Sequence, residues 1–280
     1  MAGTLVLIGT PLGNREDLSD RARRALVEAD LLLCEDTRSP LRLVPDTPLP
    51  ERISCFVGNE HERVALLLER LARGQTVAFV SEAGLPVWSD PGRFLVAAAV
   101  EAGYAVDVVP GPTAGTCALA VSGFAAEGAR FLGFIPRTGK DRDQALAALA
   151  DDPGATVLYE AGNRTPALLR DLAAHVGERR VLVARELTKL HQELIRGRAT
   201  ELAEAHREPL RGEVTVVVEG KPPVTATEPT LDPTVAAARR VLELMLDPTL
   251  KPRARAKALA ELTGQDAKEL YEQLGRARGT

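Results

Sequence analysis

The sequence predicts two consecutive α/β lobes followed by a small helical extension. Three observations carry this. Short apolar runs alternate with helix-period patterns through the first half, which marks mainly parallel strands. Pro110-Gly111-Pro112 interrupts that alternation, since these residues cannot continue a strand. Beyond a proline-rich stretch from Gly220 to Pro229 the pattern is purely helical. The resulting division is 1–111, 112–221, a linker over 222–232, and a helical extension over 233–280.

In the first lobe Leu5–Ile8 reads as a short buried strand ended by Gly9. A helix is expected over Leu18–Ala29 and a strand over Leu31–Cys34, which runs into Glu35-Asp36-Thr37-Arg38. Residues Ser39–Asn59, rich in proline and polar groups, are expected to form a mobile loop. A helix over Glu60–Ala72, a strand over Thr76–Val80, a turn-rich Val87–Gly92, a helix over Phe94–Glu101 and a strand over Ala105–Val109 complete it. A small-residue helix, Ala114–Val121, opens the second lobe. Strands follow near Phe131–Ile135, Thr156–Tyr159, Val181–Ala184, Glu193–Ile195 and Glu213–Val218. The last three have little helix between them, so a mixed or antiparallel sheet is expected. The extension carries amphipathic helices over Val235–Leu246, Arg253–Leu262 and Ala267–Leu274, with a turn at Thr263-Gly264.

The chain has 280 residues and a formal net charge of -4, whereas a chain that wraps duplex nucleic acid is usually basic. Any nucleic-acid contact must therefore use local basic patches. Aromatic residues make up 4%, which disfavours a strip of stacking platforms for single strands. The cysteines Cys34, Cys55 and Cys117 are odd in number and far apart, so neither a disulfide framework nor a zinc site is indicated. Free thiols fit a cytoplasmic protein. No signal peptide and no apolar run long enough for a membrane span are visible.

Ligands in open α/β sheets collect outside the carboxyl ends of the strands, and the unusual sequences stand there: Gly9-Thr10-Pro11-Leu12-Gly13-Asn14, Glu35-Asp36-Thr37-Arg38, Ser81-Glu82-Ala83-Gly84-Leu85-Pro86 running on to Ser89-Asp90-Pro91-Gly92, and Pro110-Gly111-Pro112-Thr113-Ala114. One such turn is ordinary strand punctuation; four in one half-chain point to a ligand. Neither the dinucleotide fingerprint nor a P-loop is present. Glycine-rich turns with interspersed carboxylates suit a ligand with a nucleoside, a carboxylate and a cation. S-adenosylmethionine is one of several such molecules.

These four loops resemble the ribosomal small-subunit methyltransferase I family, the 16S rRNA (cytidine-2'-O)-methyltransferase branch of the tetrapyrrole (corrin/porphyrin) methylases. The resemblance continues through Phe131-Leu132-Gly133-Phe134-Ile135-Pro136-Arg137, Tyr159-Glu160, Arg185-Glu186-Leu187-Thr188-Lys189-Leu190-His191 and Gly212-Glu213, in order from Thr4 to Gly220. Cys34–Arg38 and Arg185–His191 are its most specific pieces. The family usually has Ser-Asp-Ala-Gly-Thr-Pro where this chain has Ser81–Pro86, Tyr-Glu-Ser-Pro-His-Arg where it has Tyr159-Glu160-Ala161-Gly162-Asn163-Arg164, and often Gly-Ile where it has Val87-Trp88.

The resemblance implies a fold of two α/β domains with S-adenosylmethionine in the cleft between them, a 2'-O-methylated cytidine of 16S rRNA in the 30S subunit as product, and a homodimer. It implies a cofactor pocket of Thr10, Pro11, Ser81, Glu82, Ala83, Gly84, Gly111, Pro112, Thr113, Ala114, Tyr159 and Gly212. The helix after Gly111 is expected to hold the cofactor's carboxylate at its N-terminus, although Thr113 also suits a plain N-cap. Glu35, Asp36, Glu186 and Lys189 are the candidates for the base or its orienting cluster, with His191 behind them. Lys189 acts as a base only if a dry site lowers its pKa; otherwise it holds a phosphate or an oxyanion.

RNA phosphates call for arginine and lysine, and Asn14, Arg38, Arg137, Arg253 and Lys257 are the expected contacts. Basic clusters lie at Arg21, Arg23 and Arg24, at Arg137, Lys140 and Arg142, and at Lys251, Arg253, Arg255 and Lys257. A 2'-hydroxyl acceptor means RNA and not DNA. Two competing readings keep the fold. One methylates a tetrapyrrole or corrinoid precursor, against which stands the first loop, Thr10–Asn14. The other is a non-enzymatic RNA-binding protein with a decayed pocket, motivated by Glu82, Leu85 and Asn163.

Overall fold

The structure, a computed structural model, describes residues 2–222, 233–247 and 249–276. The chain divides into two compact units, 1–221 and 222–280.

Within the first unit the chain runs β1 (Thr4–Ile8), α1 (Asp20–Glu28), β2 (Leu31–Cys34), α2 (Ser39–Leu43), β3 (Glu51–Ser54), α3 (Glu60–Ala72), β4 (Thr76–Val80), α4 (Arg93–Glu101), β5 (Ala105–Val109), α5 (Ala114–Ser122), β6 (Arg130–Phe134), α6 (Lys140–Asp151), β7 (Thr156–Ala161), α7 (Thr165–Val176), β8 (Arg180–Arg185), β9 (Glu193–Arg198), α8 (Ala199–Ala205) and β10 (Glu213–Val218). Two five-stranded sheets result, ordered β3-β2-β4-β1-β5 and β6-β7-β10-β8-β9.

All pairings in the first sheet are parallel. A sheet covered on both faces needs strands apolar on both faces, and Leu31, Leu32, Leu33 and Cys34 of β2 are all fully buried. Side chains alternate across the sheet. Leu32 and Cys34 pack with Ala22 and Leu26 of α1, while Leu31 and Leu33 pack with Leu67 and Leu71 of α3 and Leu95 and Ala99 of α4. Because the strands are parallel, Gly9, Glu35, Ser81 and Pro110 all leave the sheet at one edge. In the second sheet β6 and β7 are parallel and the remaining pairs antiparallel, the mixed sheet the sequence predicts. One face packs on α6, α7 and α8. The other receives Ala118 of α5, so the helix that follows the first sheet is seated on the second.

The expected loop over Ser39–Asn59 is a correction. It holds α2, whose Pro40 sits in the first helical turn where a missing N–H costs nothing, and β3, an edge strand pairing with β2. Glu51-Arg52-Ile53-Ser54 carries charge and one large apolar residue, as suits an edge, and gives no apolar periodicity to read. A short helix, α8, also stands between β9 and β10 where little helix was expected.

The second unit holds α9 (Pro233–Leu246), α10 (Pro252–Thr263) and α11 (Ala267–Arg276). Gly264, left-handed with φ 69°, closes α10, and Asp266 Oδ1 accepts the Lys268 and Glu269 amides to start α11. The expected linker 222–232 lies outside the described residues except for Pro222.

Candidate active site between the two lobes

Four loops meet at the carboxyl edge of the first sheet, and backbone hydrogen bonds join three of them. Thr10 and Gly84 exchange amide–carbonyl bonds of 2.9 and 3.1 Å, and the Leu85 amide donates to Pro112 O at 3.0 Å. Gly9 and Gly111 touch backbone to backbone: a Cβ built on either would lie 2.5–2.7 Å from the other. No residue but glycine permits that approach. Thr10 is 1% exposed and gives its hydroxyl to Gly84 O, so it braces the wall from behind.

Buried Glu60, at the start of α3, accepts the Gly92 and Phe94 amides at 2.9 and 2.7 Å. It thereby caps α4 and anchors the far end of the 81–92 loop. Sequence reading missed this residue, because a cap supplied from another helix has no local signature. At α5, Thr113 is the N-cap and accepts the Thr116 amide, while the Tyr159 hydroxyl from the second lobe accepts the Gly115 amide at 3.1 Å. Among the described residues the Ala114 amide has no acceptor, which leaves one N–H at this helix N-terminus for a ligand.

A cavity of about 370 Å³ opens between these loops and the second sheet. Of the sequence-predicted residues it is lined by Glu35, Glu82, Ala83, Gly84, Thr113, Ala114, Tyr159 and Gly212. Thr10, Pro11, Ser81, Gly111 and Pro112 stand outside its lining, as do Asp36, Glu186 and Lys189. The structure adds Trp88, Asp90, Phe134, Glu160 and Glu213. Ser89-Asp90-Pro91-Gly92 is conspicuous in the sequence, but nothing there separates a ligand-facing Asp90 from a turn aspartate.

Among the described residues, five carboxylates (Glu35, Glu82, Asp90, Glu160 and Glu213) and no lysine or arginine line the cavity. Burial raises the Asp90 pKa, to about 6; the charges of Glu35, Glu213 and Glu82 act in the same direction, against a hydrogen bond from Ser81. Glu35 is also raised, first by burial, although the Glu82 amide hydrogen-bonds to it. Glu160 is held by Arg164, with Nε at 2.6 Å.

The remaining catalytic candidates form two separate clusters. Asp36 is clamped by Arg38 through bonds of 2.7–3.1 Å, which bring its pKa down to about 2. A carboxylate so held is a weak base, while the Arg38 side chain stays exposed to solvent. On the second lobe Lys189 Nζ lies 3.0 Å from Glu186 Oε1 and 2.7 Å from Glu213 Oε2. Burial disfavours its charge, but these bonds outweigh burial and raise its pKa. Its two carboxylate partners favour the cationic form of Lys189, which disfavours the base alternative for it. Glu186 ends up lowered: burial acts upward, but the Glu213 amide and Lys189 act downward. The Asn14 amide donates to Thr188 Oγ1 at 3.1 Å, and the Lys189 stem lies against Gly13, tying this cluster to the first lobe.

Two basic clusters need correction. Arg142 is 9% exposed and donates to Asp171 at 2.6 and 2.9 Å. Arg255, 8% exposed, donates to the carbonyls of Asp247 and Leu250. Both hold helices together and neither faces solvent. Arg137, Arg253 and Lys257 are exposed, with Arg253 placed 5.8 Å from the Tyr271 ring centre.

A parallel lobe and a mixed lobe with a loop-lined cleft between them define the tetrapyrrole-methylase class of fold, and the tetrapyrrole (corrin/porphyrin) methylase family matches residues 4–203. Uroporphyrin III C-methyltransferase from Thermus thermophilus is similar in fold, with a TM-score of 0.58 at 21% identity over 78% of this chain and 97% of that one. Ribosomal RNA small subunit methyltransferase I of Thermotoga maritima is 44% identical over 71% of this chain and 89% of its own length. That of Micromonospora olivasterospora is 39% identical over 98% of this chain and 87% of its own. The chain belongs to this methyltransferase I family, within the tetrapyrrole methylases.

Proposed function

We propose that this methyltransferase uses S-adenosylmethionine to methylate the ribose 2'-hydroxyl of a cytidine in 16S rRNA of the small subunit. The carrying observation for the cofactor is the cavity's charge. Glu160 and Glu213 are ion-paired, and the remaining lining carboxylates, Glu35, Glu82 and Asp90, disfavour phosphates and favour a ligand that carries a sulfonium and an ammonium. Its volume falls within the range of small-molecule pockets, about 300–1,000 Å³. For the acceptor, support comes from the relatives named above. The first-loop departure from corrinoid enzymes points the same way. The reading also carries the lobe division 1–111 and 112–221, a homodimer, and work in the cytoplasm; among the described residues no helix is long and apolar enough to cross a membrane.

Ala83, Gly84, Thr113, Ala114, Tyr159 and Gly212 would hold the cofactor, with the Ala114 amide toward its carboxylate. When bound, it supplies an already activated methyl group. The chain's residues then have to align the acceptor, which is worth roughly 7–11 kcal/mol when done well, and take its proton. Asp90 is the proton acceptor in this reading. It lines the cavity, and a pKa of about 6 is close to what base catalysis near neutral pH asks for. Glu35 beside it keeps the site's negative field. Arg38 and Arg137 meet RNA phosphates outside the cavity, and Arg253 and Lys257 do so from the extension.

The test is transfer of a labelled methyl group to purified 30S subunits lacking the modification, with the labelled nucleoside identified after digestion. A single 2'-O-methylcytidine is expected. Cofactor binding without transfer would redirect the search to tetrapyrrole acceptors, and absence of both would favour the non-enzymatic reading.

A further inference from the structure

We propose that Trp88 and Phe134 form a stacking site at the cavity mouth for a nucleobase of the RNA substrate, the base lifted out of its own stack. The inference rests on the RNA reading above and names residues that reading does not assign.

The chain has one tryptophan, three tyrosines and six phenylalanines. Trp88, Phe131, Phe134 and Tyr159 stand together at this one place. Trp88 stacks on Phe131 with ring centres 4.8 Å apart and planes at 29°. Phe131 and Phe134 each meet Tyr159 edge-on, at 4.9 and 5.7 Å. Trp88 and Phe134 line the cavity, yet remain 45% and 57% exposed. Rings so open are at the mouth, where a second reactant enters.

Two backbone features hold them there. Val87 and Ser89, on either side of Trp88, have φ of 76° and 67°, a region that costs any residue with a Cβ and a branched one most. Opposite, the β6 ladder shifts register between Phe131 and Gly133, the kind of bulge that re-aims side chains. Gly133 itself has φ 62°, and a Cβ on it would come within 2.7 Å of Ser89 Oγ.

Charge selects the occupant. The carboxylates Glu35, Glu82 and Asp90, which have no ion-pair partner among the described residues, disfavour phosphates inside the cavity, which suits entry of a single extruded nucleotide with its phosphates left toward the mouth. Enzymes that do chemistry on a base extrude its nucleotide, and RNA bases splayed out of their stack are held on aromatic side chains. An exposed indole at the mouth is such a surface.

The experiment compares wild type with Trp88→Ala and Trp88→Phe, measuring S-adenosylhomocysteine affinity by calorimetry and KM for 30S subunits. The alanine variant is expected to raise KM by about 5- to 150-fold, the cost of losing one aromatic–base stack, with S-adenosylhomocysteine affinity unchanged and the phenylalanine variant recovering most of the loss. Weakened S-adenosylhomocysteine binding with an unchanged KM would overturn it by assigning the ring to the cofactor's adenine. No change in either would reduce the cluster to packing. Should wild type transfer no methyl to 30S subunits, the RNA reading itself fails. The stack is then tested alone through the fluorescence of this single tryptophan in S-adenosylhomocysteine-loaded protein. Quenching by a cytidine-containing single-stranded RNA retains the stacking site; RNA that binds by gel shift without changing the emission overturns it.

Discussion

The two walls of the cleft are built by different means. On the first lobe the wall is backbone: Thr10 and Gly84 exchange amide–carbonyl bonds, the Leu85 amide donates to Pro112 O, and Gly9 rests on Gly111. On the second lobe the wall is side chain: Glu186, Lys189 and Glu213 form a charged cluster, with Tyr159 reaching across to Gly115. A parallel sheet delivers all its loops to one edge, where they can weld together. A mixed sheet delivers fewer, and its strand ends contribute functional groups. Substitutions on the first wall should therefore act through geometry, and those on the second through charge.

The largest effect should come from Asp90, a titrating side chain carried by the backbone wall. Asp90→Asn is expected to lower kcat by about 10²–10⁴-fold, the range for loss of a general base, while leaving S-adenosylhomocysteine binding in place. The base works ionised, so in wild type kcat/KM should hold above the Asp90 pKa of about 6 and fall as pH drops through it. A cationic cofactor favours the carboxylate, so the acid limb of kcat should lie lower still. Neither limb should survive in the variant, and an unchanged pH profile would remove Asp90 from the mechanism.

Next in size is Gly111→Ala. Its Cβ would lie 2.7 Å from Gly9 Cα and C, and backbone cannot yield as a flexible side chain can. The expected cost is about 1–3 kcal/mol, read as a lower Tm together with weaker S-adenosylhomocysteine binding. If Tm falls and affinity holds, the wall is a scaffold only.

The smallest change should follow Lys189→Met, since its partners are partly exposed and such pairs contribute less than about 1 kcal/mol. Glu186 has a lowered pKa, so its contribution to stability is present above the ordinary glutamate value and fades as pH falls. Without Lys189 that acid-side loss should shrink, measured as Tm against pH.

Much of this was legible in the sequence because strand ends and glycine turns have local signatures. Leu31–Cys34 and Thr76–Val80 read directly as buried strands, and the four loops at the carboxyl edge of the first sheet supplied six of the eight lining residues that the sequence pointed to, Tyr159 and Gly212 being the other two. What stayed hidden depends on distant partners. Glu60 caps α4 from another helix, Arg142 and Arg255 look like surface cations until their carboxylate and carbonyl partners fold against them, and β3 has too little apolar pattern to announce itself. The aromatic cluster was hidden by its rarity: a low aromatic content argued against stacking, and counting could not show that four of the rings converge.

The welded floor bears on the substitutions that set this chain apart from its relatives. Where a ligand is held by amides and carbonyls, the identity of the side chains above them is free to drift. Leu85 replaces the family's usual residue at a position whose amide donates to Pro112 O, and Glu82 does so two residues before Gly84, whose amide and carbonyl pair with Thr10, so a comparison of side chains alone would read erosion where the main chain holds its bonds.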